Sequence, residues 1–205
     1  MYSTYNEQIQ SQIDRGVTVE LSKEEINEWS GPYQYISHHA VLKESKSTPV
    51  RVVTNSSFNN SGNSLNSCIA SGPNSLIPML DVMLRFRTYE IAVQFDLAKA
   101  YNTLRTGPIE KHLRRFLWRF DPSHSWQEYA LDRVHFGDAC AATMLEVAKN
   151  MVAEKGRTID PEASKRIEYD MYVDDGLTGG SEDQVSRFVG VKKSDGKYSG
   201  TFQKI

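Results

Sequence analysis

Residues 90–97, Glu-Ile-Ala-Val-Gln-Phe-Asp-Leu, bring an apolar side chain to every second position. A period of two predicts a β-strand with one buried face, which here would carry Ile91, Val93, Phe95 and Leu97. Asp96 would then lie on the opposite face, away from the core. The segment therefore predicts a domain that contains a sheet and presents a carboxylate near the end of one strand.

The rest of the chain predicts helices as well as strands. Further strands are predicted at residues 35–41, 50–53, 116–120, 129–136 and 168–173. Helices are predicted at about 22–29, opened by the capping box Ser22-Lys23-Glu24-Glu25, at about 76–84, capped by Asn74 or Ser75, and at 139–155. Strands that alternate with helices, together with β-hairpins, indicate the α+β fold class.

Two of these helices carry an apolar stripe that predicts their buried face. The stripe of the first is Leu76, Met79, Leu80, Met83 and Leu84. The stripe of the second is Met144, Val147, Ala148, Met151 and Val152. Spacings of three and four residues place each set on one side of its helix, and such a side normally faces the core.

Composition narrows the class of protein. The chain has 205 residues and a formal net charge of -2, which fits one domain or one large piece of a longer protein. No apolar run approaches the roughly 18 residues of a membrane span, and the first residues do not resemble a secretory signal. Cys68 and Cys140 are too few and too far apart for a disulfide framework or a zinc cluster, so we expect an intracellular, reducing setting.

Carboxylates supply the clearest chemical signal. Asp174 and Asp175 follow Tyr172 and Val173 at the end of a predicted strand, and Asp96 ends another. Clustered carboxylates repel one another unless a cation joins them. Oxygen ligands without His or Cys suit Mg²⁺ or Mn²⁺, and two such ions form the clamp used in phosphoryl transfer. The alternative is that Asp174-Asp175-Gly176 is merely a turn, since Asp and Gly both favour hairpin turns.

Several motifs occur in the order found in one known family. Tyr172-Val173-Asp174-Asp175, a YVDD motif, resembles the signature hairpin of reverse transcriptases, and Phe95-Asp96-Leu97-Ala98-Lys99-Ala100-Tyr101 resembles their first metal-binding motif. Val134-His135-Phe136-Gly137 resembles the turn before their palm helix. Arg51-Val52-Val53, with His38-His39-Ala40-Val41, resembles the fingers hairpin of BEL/Pao retrotransposons. The chain is therefore similar to the reverse transcriptase domain of this class, an RNA-directed DNA polymerase.

The resemblance implies a right-hand polymerase fold with an antiparallel palm sheet and packed helices. Residues 1–205 would form a single partial domain, with about 1–90 mainly fingers and about 91–205 mainly palm with part of the fingers. The thumb would be absent, and no protease, ribonuclease H or integrase part is expected. Partners would be an RNA or DNA template-primer and deoxynucleotides, with fusion to ribonuclease H and integrase in a polyprotein. No membrane partner is expected, and the location would be cytoplasmic, in virus-like particles.

The resemblance also implies roles for individual residues. Asp96, Asp174 and Asp175 would be the catalytic acids and the ligands of two Mg²⁺ or Mn²⁺ ions. Arg51 and Lys43 would contact the triphosphate, and Phe136 and Gly137 would form the floor of the nucleotide pocket. Tyr101 would exclude the 2′-hydroxyl of ribonucleotides, the alternative being a half-buried packing residue. The nucleic-acid contacts would be Tyr172 near the primer end and Lys111, Arg114 and Arg115 on template phosphates, the alternative for the basic residues being a solvated face.

Some positions depart from the family pattern. Asn55 stands where relatives commonly have Asp, His135 replaces a usual Pro, and Ala141-Ala142 replace a usual Ser-Pro. These differences put the shape of the nucleotide pocket in doubt but leave the metal site whole. Ala141-Ala142 and the expected lack of a thumb leave open a second interpretation, a decayed element remnant that is catalytically inactive and at most a weak nucleic-acid binder. A third, another palm-type enzyme such as a nucleotidyl cyclase, also shares paired acids but needs neither a fingers arginine nor a template cleft.

Overall fold

The computed structural model describes residues 2–42, 50–59, 62–189 and 202–204. The α-helices are α1 (Tyr2–Asp14), α2 (Lys23–Glu28), α3 (Leu65–Cys68), α4 (Met79–Phe86), α5 (Ala141–Gly156), α6 (Pro161–Tyr169) and α7 (Glu182–Val189). The strands are β1 (Thr18–Glu20), β2 (Ser37–Leu42), β3 (Val50–Asn55), β4 (Ile91–Asp96), β5 (Arg115–Trp118), β6 (Gln127–Leu131), β7 (Met171–Tyr172), β8 (Asp175–Gly180) and β9 (Phe202–Lys204). Ala100–Thr103 and Glu110–Arg114 form 3₁₀ helices.

The chain forms two compact units and has the expected α+β composition. Met1–Ser71 and Tyr101–Ala141 make the first unit, and Gly72–Ala100 and Ala142–Ile205 make the second. The chain enters the second unit at Gly72, returns to the first at Tyr101 and enters the second again at Ala142. Within the described residues, no helix has the length and apolar character that a membrane crossing requires.

The first unit contains two small antiparallel sheets. One has the strand order β1-β6-β5, and the other is the β2-β3 hairpin. Its core combines side chains from α1, both sheets and α3, namely Tyr5, Ile9, Ile36, Val50, Leu65, Phe116, Tyr129 and Leu131. β2 pairs with β3 from Ser37 opposite Asn55, and β5 pairs with β6 from Arg115 opposite Ala130. The strands predicted at 35–41, 50–53 and 116–120 are thus present, whereas the one predicted at 129–136 ends at Leu131.

The second unit is built on one antiparallel sheet of order β7-β8-β4-β9. The strand predicted from the alternating segment is confirmed as β4, which pairs with β8 along its whole length, from Ile91 opposite Gly180 to Asp96 opposite Asp175. The helices α4 and α7 pack against β8. Val82 of α4 and Val185 of α7 are buried, at 0% and 2% exposure, and so they anchor their helices.

Helix α4 begins later than predicted and buries a different face. Neither Asn74 nor Ser75 caps it, because Pro78 occupies the N-cap and Met79 is the first helical residue. A residue before proline is disfavoured in the helical region, so Ile77 cannot continue a helix into Pro78. The predicted stripe is exposed at Met79, Leu80, Met83 and Leu84.

Helix α5 is present as predicted, but its buried face is not the predicted one. Met144, Val147, Met151 and Val152 are exposed. The inward face instead follows the stripe Ala141, Leu145, Lys149 and Ala153. Lys149 can lie there because its Nζ is 2.8 Å from Oε2 of Glu146, which is also buried, so the pair neutralises itself.

Helix α6 occupies a segment that was partly predicted as a strand. Asp160 caps it by accepting a hydrogen bond from the amide of Ala163, and Pro161 stands at its first turn. The strand predicted at residues 168–173 is wrong at its start, because the helix continues to Tyr169 and β7 contains Met171 and Tyr172 alone.

Candidate active site

Asp96 and Asp175 lie directly opposite each other on β4 and β8. The amide of Leu97 donates to the carbonyl of Asp174 at 2.9 Å, which makes the Asp96–Asp175 pair a non-hydrogen-bonded one. In such a pair the Cα atoms are about 4.5 Å apart and the side chains stand on the same face of the sheet. Both side chains are exposed, so two carboxylates share one accessible patch at the end of the strand pair.

Asp174 lies in the turn of the adjoining hairpin. Tyr172 pairs with Asp175, which leaves Val173 and Asp174 as a two-residue turn between β7 and β8. Val173 adopts a φ of 56°. A β-branched residue rarely adopts a positive φ, because its Cβ crowds the backbone, and strain of this kind persists where the surrounding structure imposes it.

Gly176, the second residue of β8, makes room for a side chain of the neighbouring strand. It lies opposite Phe95, and a Cβ at this position would come within 2.2 Å of the Phe95 ring. The glycine is therefore required for packing within the β4–β8 strand pair and is not a residue of the turn. The interpretation of Asp174-Asp175-Gly176 as a simple turn sequence does not describe this hairpin, whose turn residues are Val173 and Asp174.

Asp96, Asp174 and Asp175 meet some but not all of the requirements of a divalent-cation site. Within the described residues, Asp96, Asp174 and Asp175 form no ion pair, and like charges directly opposite each other on two strands are destabilising. An oxygen-ligated cation such as Mg²⁺ would remove that repulsion. Nevertheless, the described residues contain no group of three or more His, Cys, Asp or Glu side chains gathered to hold a metal ion. The pair is assembled in this structure, and a three-carboxylate group is not.

Tyr101 and Phe136, both predicted nucleotide contacts, touch each other in the first unit. Their ring centroids are 6.0 Å apart in an edge-to-face arrangement. Phe136 is 76% exposed. Gly137 follows with a φ of 104°, a conformation that favours glycine. The turn thus presents an aromatic face to solvent.

A buried polar cluster, which the sequence did not reveal, supports this turn. Asp138 accepts hydrogen bonds from Ser56 Oγ at 2.6 Å and from Arg114 Nε at 2.9 Å. Asn66 donates to the carbonyl of Gly137 and accepts from the amide of Ala139, each at 2.8 Å. Four separate hydrogen bonds therefore hold Gly137 and the two residues that follow it, Asp138 and Ala139. An Arg and an Asp that lie 24 residues apart give no sequence signal of their pairing.

The predicted phosphate contacts at Arg114 and Arg115 do not fit their positions. Both residues are buried, at 3% and 2% exposure. Arg114 pairs with Asp138, and Arg115 contacts His112 Nδ1 and Glu128. A guanidinium buried this deeply has little surface to offer to a template phosphate, so the burial of both residues does not fit the predicted contact. The partners Asp138, His112 and Glu128 all lie within the first unit.

The remaining predicted contacts lie at the surface or outside the described residues. Arg51 is exposed on β3, opposite Val41. Lys111 is partly exposed, but its Nζ is 2.6 Å from Glu25 Oε1. Tyr172 is half-buried on β7, and Lys43 lies outside the described residues. Among the described residues, Lys111 has an ion-pair partner, whereas Arg51 is exposed and forms no ion pair.

Comparisons with known proteins add no assignment. Neither the protein-family models nor the curated proteins include a match for this chain.

Proposed function

We propose that this chain is part of a reverse transcriptase with the right-hand polymerase fold, in which the second unit carries the catalytic acids. The observation that supports it is the Asp96–Asp175 pair in register, next to a strained turn that holds Asp174. Asp96 and Asp175 come from two motifs far apart in sequence and lie opposite each other at one end of one sheet, with Asp174 in the adjoining turn. Such convergence is what a metal-dependent phosphoryl transfer needs from its protein.

Asp96, Asp174 and Asp175 would hold the divalent cations. When bound, these ions supply charge neutralisation on the triphosphate and lower the pKa of the primer hydroxyl. The chain's own residues provide the rigid platform: the β4–β8 ladder fixes Asp96 against Asp175, and Gly176 lets Phe95 pack across the ladder.

The nucleotide contacts that the resemblance implies are kept in the proposal as roles of individual residues of the first unit. In this proposal Arg51 contacts the triphosphate with a guanidinium that suits bidentate binding of phosphate. Tyr101 retains the role of discriminating against the ribose sugar, and Phe136 and Gly137 that of the pocket floor. The exposure of Phe136 and its ring contact with Tyr101 support this assignment.

Mn²⁺ binding tests the proposal without requiring polymerisation. Electron paramagnetic resonance titration of the 205-residue chain should show a Mn²⁺ site that Asp96→Asn and Asp175→Asn each weaken by at least about tenfold, since each removes a ligand charge. Asp183→Asn, an exposed acid on α7 of the same unit, is the matched control and should change nothing. Equal Mn²⁺ affinity in all variants would refute the proposal.

One observation favours the second candidate, an inactive remnant of the same kind of element. The three carboxylates are not gathered into a single ligand group within the described residues. An inactive remnant would bind Mn²⁺ no better than its surface charge allows, and Asp96→Asn would leave that weak binding unchanged. The same titration therefore separates the two candidates.

A further inference from the structure

Asp170, at the junction of α6 and β7, carries a buried carboxylate that the metal-binding proposal does not use. The residue is 3% exposed. Its Oδ2 accepts hydrogen bonds from Tyr89 Oη and from Thr178 Oγ1, both at 2.6 Å. Its Oδ1 lies 3.5 Å from Arg85 Nε, so a guanidinium balances part of the buried charge.

The backbone of Asp170 is also held by hydrogen bonds. Its amide donates to the carbonyl of Arg166 at 2.9 Å, and its carbonyl accepts from the amide of Leu177 at 2.8 Å. Arg166 Nη1 in turn donates to Thr178 Oγ1 at 2.7 Å and to the carbonyl of Gly179. The end of α6 and the middle of β8 are therefore joined through one residue.

The position of this anchor relates it to all three acids. Tyr89 lies two residues before the start of β4, and β4 ends at Asp96. Thr178 belongs to β8, which begins at Asp175. Asp170 itself precedes β7, which leads into the turn with Asp174. One carboxylate thus connects the three chain segments that carry the acids.

The hairpin needs such an anchor because it is short and strained. β7 contains Met171 and Tyr172 alone, and it supplies few ladder hydrogen bonds to resist the positive φ of Val173. A one-residue slip of β7 would move every side chain to the other face of the sheet. The side-chain bonds of Asp170 oppose that slip.

We propose that Asp170 is a positioning residue that sets the register of the β7–β8 hairpin and, through it, the divalent-cation affinity of Asp96, Asp174 and Asp175. This inference rests on the proposed function. It predicts an effect on metal binding that a residue serving only the stability of the fold would not have.

The test is a Mn²⁺ titration of the 205-residue chain that carries Asp170→Asn, in which electron paramagnetic resonance measures the bound and free ion. Asn keeps the shape and can still accept from the two hydroxyls, but it loses the charge that pairs with Arg85. We expect Mn²⁺ affinity to fall by about tenfold, the lower end of the effect of outer-shell partners on metal sites. Tyr89→Phe, which removes one donor and leaves the carboxylate, should give a smaller loss in the same direction.

Two controls separate positioning from stability. Glu168→Gln removes the carboxylate that pairs with Arg157; Glu168 is a partly exposed residue of α6, two positions before Asp170. This variant should leave Mn²⁺ affinity unchanged. Val82→Ala removes volume from a fully buried site of the same unit and should lower the unfolding temperature without changing Mn²⁺ affinity.

The outcomes are distinct. Mn²⁺ binding that depends on Asp96 but is unaltered by Asp170→Asn overturns this inference and leaves the proposed function standing. Absence of Asp96-dependent binding in the unmodified chain overturns both. If Asp170→Asn does not fold, Tyr89→Phe decides, and unchanged Mn²⁺ affinity in that variant overturns the inference.

Discussion

Arg114 and Asp138 form an ion pair inside the first unit, with Nε 2.9 Å from Oδ2 and side chains that are 4% and 0% exposed. Removing one partner of a buried pair leaves an uncompensated charge, which is more costly than the pair is stabilising. We therefore expect Asp138→Ala to lower the free energy of unfolding by about 3–5 kcal/mol.

Urea unfolding followed by circular dichroism measures this change. Arg105→Ala is the matched control, because Arg105 pairs with Asp132 at 3.4 Å but is 74% exposed. An exposed pair contributes about 0–1 kcal/mol. Similar losses in the two variants would show that the Arg114–Asp138 pair is not buried as described.

The buried face of α5 gives a second prediction. Leu145 is 3% exposed and Met151 is 53% exposed. Leu145→Ala should lower the free energy of unfolding by about 2–5 kcal/mol, because it leaves a cavity. Met151→Ala should change it by less than about 0.5 kcal/mol. Thermal or urea unfolding of both variants decides the orientation, and the reverse order would restore the face predicted from the sequence.

This helix shows where sequence patterns stop being informative. The segment contains two stripes at helical spacing, and the more apolar one, with Met144 and Met151, favours the wrong face. The face that is buried contains Lys149, which depends on its ion pair with Glu146. A stripe identifies a helix and its period, but the choice between two faces depends on tertiary partners that the sequence does not display.

Strands with local pairing were predictable, whereas polar contacts between distant segments were not. The β2–β3 and β5–β6 hairpins and the presence of β4 follow from neighbouring residues. The strictly alternating burial predicted for β4 is not observed, since the neighbours Ala92 and Val93 are both buried. Helix α6 was missed although Asp160-Pro161 is a typical helix start. The buried carboxylates of Asp138 and Asp170 meet partners up to 82 and 81 residues away, a pairing that no local pattern encodes.

The pH dependence of stability should reflect His135. Burial lowers the pKa of this imidazole below its usual value of 6.5, and Arg114 and Arg15 lower it further, against the opposing effects of the Arg133 carbonyl and Asp138. As the pH falls below 6.5, the unfolded chain takes up the proton first, so stability decreases until the pH lies below the folded-state pKa. The stability that depends on a neutral His135 is therefore fully present above about pH 6.5 and is lost as the pH falls.

Free energies of unfolding measured from about pH 7.5 to about pH 5 test this effect, because this range brackets the reference histidine pKa of about 6.5. His135→Gln should reduce the loss of stability on acidification, whereas His124→Gln, which replaces an exposed residue, should not. A residual pH dependence is expected in His135→Gln, because burial also lowers the pKa of His38 and His112. An unaltered pH profile in His135→Gln would contradict the assignment.

The last prediction concerns Tyr101 and follows from the proposed function. Its ring contacts the exposed Phe136, and the proposal makes that ring the feature that excludes a 2′-hydroxyl. Tyr101→Ala should raise ribonucleotide use relative to deoxynucleotide use by at least about tenfold, the scale of one pocket contact in specificity. Primer extension on an RNA template with each nucleotide type measures the ratio. Tyr101→Phe keeps the ring and should retain discrimination, so equal ratios in Tyr101→Ala, Tyr101→Phe and the unmodified chain would make Tyr101 a packing residue.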